Sequence, residues 1–384
     1  MRSEYACSAH RCRIILALLV SVLGSFSLCG RAQPRKLCFP GSTVYDTWDV
    51  VRNGRLLALP IDTDSGDNDT IMVLEQSRRG YRVQKVLSGG PFVSWSPAGK
   101  YLAFSRWSNG NADPLTRKCR IGLYSLKKNR YTLFSNGFCD RDPAWRVDGS
   151  KIAFARLDPG KVLSGEYARS SVVVVSLGNE VPNLSKSTSY EVVGMAAEAL
   201  RWRPCSDVIA YVGVGRTQFE GNKRVRLSDL YLLDIVTGKT RQITHCGDVS
   251  RFSIDWSPDG RYIVYATGLG RLKSLEIVDV DTGERRSVVS FSNMRLRLQK
   301  VKNIRWSPDG KWVVFDASEY ETGKSGDIGV VDLPSCRLMW LSKDGKSKAP
   351  RWSADGKILF VRNGTEIWRM LPNGGKQERL YRFR

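Results

Sequence analysis

Along most of this chain, short apolar runs alternate with polar, glycine-containing turns, and no segment sustains a helical period. The runs fall into a repeating frame of tryptophan, tight turn and apolar strand. It reads WSPAGKYLAF from Trp95, WRVDGSKIAF from Trp145, WRPCSDVIAY from Trp202, WSPDGRYIVY from Trp256, WSPDGKWVVF from Trp306 and WSADGKILFV from Trp352. Steps of 46 to 57 residues separate these tryptophans, which marks an array of one supersecondary unit. Within Ser-Pro-Asp-Gly, Pro258 and Pro308 pre-set a negative φ, while Gly260 and Gly310 accept a positive one, so two antiparallel strands can join tightly. The residues after the turn are β-branched and aromatic, as in Tyr262-Ile263-Val264-Tyr265. A third strand is predicted at 274–280 and at 329–333. Second turns follow at Asp281-Thr282-Gly283 and Val236-Thr237-Gly238, and a fourth strand closes the unit, as at Arg241-Gln242-Ile243-Thr244.

Four antiparallel strands per period, with a tryptophan on the first, describe a propeller blade in an all-β fold. One blade cannot bury both its faces, so the units must stack around a ring. The tryptophans are therefore expected in the inter-blade core rather than in a ligand-stacking ladder. A further unit lacks the tryptophan: VVRNGRLLAL from Val50 fits the frame with Val50 in the tryptophan place. Seven blades are expected over residues 43–384, or six if the N-terminal segment packs outside the ring or completes another blade.

The repeated WSPDG-[KR]-x-[IV]-[AV]-[FY] pattern resembles the TolB-like (WD-like) propeller repeats of bacterial periplasmic proteins, from about Thr43 onward. The resemblance implies an envelope protein that works by holding partners. TolB itself carries an additional N-terminal α/β domain and six blades. Only about 40 residues precede the first unit here, so another member of the family is expected.

Most of those residues read as a leader. An apolar run from Ile14 to Leu28 follows Arg11 and Arg13, short for a membrane span and right for a signal-peptide core. Gly30-Arg31-Ala32 offers a cleavage site. A signal peptide is thus expected over 1–32 and a linker over 33–42, with export to the periplasm or beyond. Lipid anchoring at Cys29 is the weaker alternative, because Leu28 stands where that pathway takes a small residue. Cys38, Cys119, Cys139, Cys205, Cys246 and Cys336 follow the leader, and export permits disulfides. Cys119 opens a third strand and Cys139 precedes the next unit, placing both on one face, so a Cys119–Cys139 bridge is expected.

The formal net charge of +22 concerns partners rather than fold. On family analogy, the face carrying second-to-third-strand loops and inter-blade connections binds ligands. Its candidate basic residues are Lys223, Arg224, Arg226, Arg271, Lys273, Arg295, Arg297, Lys300 and Lys302, with Lys343, Lys346 and Lys348 beyond them. They would suit an acidic protein or anionic polymer; export argues against nucleic acid. Residues just before the tryptophans border the central channel: Arg201, Asp255, Arg305 and Arg351. Inter-blade ion pairs are expected there, with a channel-bound anion as the alternative. Asp62, Asp64, Asp67 and Asp69 form an acidic loop with calcium-like chemistry but without EF-hand spacing. No cofactor is otherwise expected.

Material for catalysis is sparse. After the leader, His245 is the only histidine, which leaves no multi-histidine metal site and little for a Ser–His–Asp arrangement. His245 and Cys246 are strand neighbours and point apart. No nucleophile elbow, Walker loop or Rossmann loop is present. The sequence thus points to a monomeric, non-enzymatic binding scaffold of the envelope. The alternative is a propeller hydrolase or lyase acting on an anionic glycan through paired carboxylates.

Overall fold

The Ser-Pro-Asp-Gly turns fold as their residue types demand. The Gly260 N–H donates to the Ser257 carbonyl at 2.9 Å with Gly260 at φ 72°, and Asp259 accepts the Arg261 N–H at 3.0 Å. The Ser257 hydroxyl then accepts the Tyr262 N–H at 2.9 Å. The turn at Ser307 repeats each of these contacts with Asp309, Gly310 and Trp312. Such self-satisfied turns let each tryptophan strand reverse into its neighbour within a few residues.

The computed structural model describes residues 43–383 except 52, 63–69, 79, 108–118, 136–138, 158–169, 178–186, 194–195, 221–222, 269–272, 292–297 and 320–325. The expected leader and linker lie outside the described residues. The strands form four-stranded antiparallel meanders over 49–88, 93–133, 139–191, 196–242, 249–290, 298–340 and 347–382, so the first unit is indeed the one without a tryptophan. In each, the second and third strands are near-continuous buried runs, as in Lys151–Leu157 and Ser170–Ser176. The fourth is largely exposed, as in Arg130–Leu133. Residues covered on both faces by neighbouring units lose alternation and become uniformly apolar.

Every neighbouring pair of units shares one apolar cluster. Ala210, Leu230, Ile263 and Val278 join the fourth and fifth, and Val314, Val330, Phe360 and Met370 the sixth and seventh. The last and first units share Leu57, Leu59, Met72, Leu359, Val361 and Ile367, which closes the ring. Each buried aliphatic or aromatic side chain contributes about 1.5–3 kcal/mol, so these clusters outweigh any single polar contact between units. Among the described residues no strand is exchanged at the closure. It adds one backbone bond, Val44 N–H to Gly364 C=O at 2.9 Å, and the Trp48 indole N–H to Ala349 C=O at 2.8 Å.

The tryptophans serve the ring as expected. The indole N–H of each of Trp145, Trp202, Trp256 and Trp352 donates at 3.0–3.2 Å to a carbonyl of the preceding unit: Ser94, Ala144, Arg201 and Arg305 respectively. Trp306 departs from this, donating into its own turn at Gly310.

One unit breaks the pattern. Strands Val208–Glu220 and Lys223–Asp234 are about twice the usual length, and their pairing continues from Val214–Ser228 out to Glu220–Lys223. Lys223, Arg224 and Arg226, expected in a loop, therefore lie on a strand. The hairpin continues past the body of the sheet through a one-residue register shift between Val214 and Thr217, forming an arm about 20 Å long at about 3.3 Å per residue.

Candidate functional site

The ring encloses a channel of about 1010 Å³ lined by inner-strand residues of all the units. Its lining depends on a repeated irregularity. Three residues before the tryptophan, Asp142, Ala199, Asn303 and Ala349 adopt φ between 52° and 56°, and the strand register shifts at each. In a regular strand, residues three apart point to opposite faces. An extra, bulged residue between them restores both to one side. Hence the residue four before the tryptophan and the residue immediately before it both face the channel.

The first set forms an outer tier near the end with the inter-unit connections: Asp46, Pro91, Arg141, Glu198, Lys302 and Lys348. Its charges are paired. Asp46 meets Lys348 at 3.0 Å and Lys302 at 3.2 Å, and Arg141 meets Glu198 at 3.6 Å. Burial raises the Asp46 carboxyl, but Lys348 and Lys302 outweigh it and hold the group below its ordinary value. Behind this tier, buried Asp316 accepts the Asn303 side-chain N–H at 2.9 Å and the Ala349 N–H at 3.3 Å. Burial, aided by the like charge of Asp46, pushes its carboxyl up to about 7.

The second set forms an inner tier: Asp49, Ser94, Ala144, Arg201, Asp255, Arg305 and Arg351. Its acids reach sideways to the next unit. Asp49 accepts the Trp95 N–H at 2.7 Å, and Asp255 accepts the Trp306 N–H at 2.8 Å. Its arginines curl back on their own strands, Arg201 to Leu200 C=O, Arg305 to Ile304 C=O and Arg351 to Pro350 C=O at 2.7–2.9 Å. Arg351 goes further, donating to Trp48 C=O, Asp46 C=O and Asn303 Oδ1 at 2.9–3.0 Å. It is thereby committed to joining the last unit to the first. Burial, with the charge of Arg201 adding to it, brings Arg351 down to about 10 against the opposing pull of Asp49. Burial and the charges of Arg201 and Arg351 lower Arg305 well below its ordinary value.

Of the candidates read from sequence, Arg201, Asp255, Arg305 and Arg351 thus line the channel, but none forms an ion pair among the described residues. The expected pairs form in the outer tier instead. Lys302, expected on the loop face, is a correction: the bulge at Asn303 turns it into the channel beside Asp46. Lys348 moves with it. Lys273 stays on the surface, paired with Asp248 at 2.9 Å. Lys300 is the third residue of the strand Leu298–Trp306. Arg271, Arg295 and Arg297 lie outside the described residues. So do Asp64, Asp67 and Asp69, while Asp62 is exposed, and no group of metal-ligating side chains occurs among the described residues.

Cys119 and Cys139 are register partners across a parallel contact that joins the second and third units into a single sheet. Both are thiols here, and burial raises each above the ordinary thiol value. Parallel neighbours about 4.8 Å apart lie within the Cα separation a disulfide spans. His245 and Cys246 are both exposed. Asp46 escaped the sequence reading because it lies between the short strands Thr43–Val44 and Asp49–Val50, and Asp49 because its unit carries Val50 where the others carry a tryptophan. Arg141 and Glu198 escaped it because simple alternation places the outer-tier positions on the wrong face. The recurrent Asp, Ala or Asn three before tryptophan was the available signal.

No family model and no curated protein matches the chain. Solved β-propellers do resemble it. The β-propeller domain of the Trilobed protease from Pyrococcus furiosus, described as having an open velcro topology, aligns with TM-score 0.59 and 15% identity over 89% of this chain and 99% of that one. An oligogalacturonate lyase in complex with manganese aligns with TM-score 0.60 and 14% identity over 84% and 88%. TolB from Acinetobacter baumannii aligns with TM-score 0.48 and 14% identity over 82% and 77%. At these identities the likeness establishes the propeller fold, and a fold shared by a protease domain and a lyase assigns no reaction. Among the described residues no helix is long and apolar enough to cross a membrane.

Proposed function

We propose that the chain is an exported, non-enzymatic propeller scaffold of the cell envelope that holds an acidic protein or anionic polymer on its loop face. The observation that carries this reading is the arm of the fourth unit. Beyond Val214 and Ser228, its two strands pair with each other and, among the described residues, with no other strand. A lone two-stranded ribbon is marginal in water, and its open edges accept an added strand from a partner. The arm carries Arg216, Lys223, Arg224 and Arg226 against a single acid, Glu220, so it favours an acidic partner.

The channel supports a binding rather than a catalytic reading. Asp316, whose carboxyl is pushed up to about 7, would suit proton transfer near neutrality, yet it lies behind the wall, bonded to Asn303 and Ala349. Of the channel acids, Asp46, Asp49 and Asp255 are held by lysines or backbone N–H groups and Glu198 by Arg141.

The test is capture of envelope proteins and acidic polysaccharide on the immobilised chain, at low and high salt, with a Lys223→Glu/Arg224→Glu/Arg226→Glu variant beside the wild type. A partner held at low salt, released at high salt and lost by the variant is the expected result. Capture that is indifferent to both salt and charge reversal would overturn the proposal.

A further inference from the structure

The inner tier of the channel has guanidinium groups that its own acids do not satisfy. Asp49 and Asp255 spend one oxygen each on a tryptophan N–H of the next unit. Arg351 is consumed by the ring closure. Arg201 is left with a single bond from Nη1 to its own strand, and Arg305 with Nη1 bonds to Ile304 C=O and, at 3.4 Å, to Ser253 Oγ. Among the described residues, Nε and Nη2 of both have no hydrogen-bond partner, in a group that carries five donors in a planar fork. Both side chains are half-buried and line the channel. Three arginines against two aspartates leave the tier one positive charge in excess. Like charges held close in a low-dielectric enclosure repel strongly unless a counter-charge joins them.

We propose that Arg201 and Arg305 form a binding site for one carboxylate group in the channel. A single carboxylate neutralises the excess charge, and its two oxygens match the guanidinium fork. The direction of entry follows from the two mouths. On one side the outer tier presents charges already paired with one another, Asp46 with Lys302 and Lys348 and Arg141 with Glu198. On the other, the lining is Pro97, Pro204, Pro258 and Pro308 with the tryptophans, an apolar rim without formal charge. The ligand is therefore a monocarboxylate whose apolar body rests against the proline–tryptophan rim. This site is separate from the arm and goes beyond the loop-face reading.

Titration calorimetry of the folded chain tests it, with hexanoate, hexanol, inorganic phosphate, and a short apolar peptide carrying either a free or an amidated C-terminal carboxyl. Hexanoate or the free-acid peptide is expected to bind where hexanol and the amide do not. Whichever acid binds tighter tells whether a small acid or a chain terminus is the natural source. Arg305→Gln and, separately, Arg201→Gln should weaken binding on the order of tenfold or more, the loss of a charged hydrogen bond. Lys239→Gln, an exposed turn position, should not, nor should charge reversal of the arm. Circular dichroism shows whether each variant is folded, and either arginine variant suffices. The inference is overturned if neither carboxylate binds, if binding survives in the folded arginine variants, or if phosphate binds as tightly as the carboxylates.

Discussion

The two tiers of the channel draw on the same side chains, three residues apart on the same strands, and use them in opposite ways. In the outer tier each lysine or arginine meets a carboxylate, Asp46 serving both Lys302 and Lys348. In the inner tier the carboxylates serve backbone N–H groups, and among the described residues Arg201 and Arg305 form no ion pair with an acid. Pairing is thus decided by what else competes for the carboxylate. Beside the tryptophan, the next unit's N–H lies within reach of the acid and takes it. Charges that are paired hold the fold together, whereas charges left over are available for a ligand.

Substitutions should separate the tiers, and the largest effect belongs to the residue that spans them. Arg351→Met strands Trp48 C=O, Asp46 C=O and Asn303 Oδ1 at the ring closure. It should lower stability by about 3–5 kcal/mol in chemical denaturation; a loss below about 1 kcal/mol would show that the apolar cluster alone closes the ring. Asp46→Ala leaves two lysines facing each other and should cost about 2 kcal/mol, discounted because the pairs are partly solvated.

A pH effect comes next. Asp316 is protonated in the folded chain up to about 7, whereas an unfolded carboxyl releases its proton near 4. The native state therefore binds the extra proton, and stability should fall as pH rises through that window, by up to about 1.4 kcal/mol per pH unit. Asp316→Asn should flatten this slope, and Asp46→Asn should reduce it by removing a like charge. An unchanged pH profile in Asp316→Asn would assign the slope elsewhere. Ala199→Gly relieves a left-handed alanine at the bulge and should stabilise by about 1 kcal/mol or less. The smallest change is expected at Arg305→Met, within about 0.5 kcal/mol of wild type, since no carboxylate is left behind. A loss like that of Arg351→Met would erase the contrast between the tiers.

Much of the fold was legible because it is local and repeated. The turn at Ser257 and the apolar run after it fix two strands by themselves, and the same frame starting at Val50 located a blade that lacks the tryptophan. The site was legible only in part. Arg201, Asp255, Arg305 and Arg351 could be placed in the channel by their position next to the tryptophan. Lys302 was assigned to the wrong surface because the bulge at Asn303 inverts the facing of what precedes it, and Asp46 was missed because it lies between the short strands Thr43–Val44 and Asp49–Val50. The arm was read as a loop because Gly221-Asn222 marks a turn without stating how far the strands beside it remain paired.

The sequence by itself determined the repeated unit, its strands and turns, and the ring those units had to make, because periodicity and turn chemistry act over a few residues and recur in every unit. Tertiary structure alone decided which charges are spent and which remain. That outcome depends on residues some fifty or three hundred positions apart, Asp255 with Trp306 and Arg351 with Trp48, meeting across unit boundaries. Competition for a carboxylate is settled by ångström distances in three dimensions, for which a linear pattern holds no term.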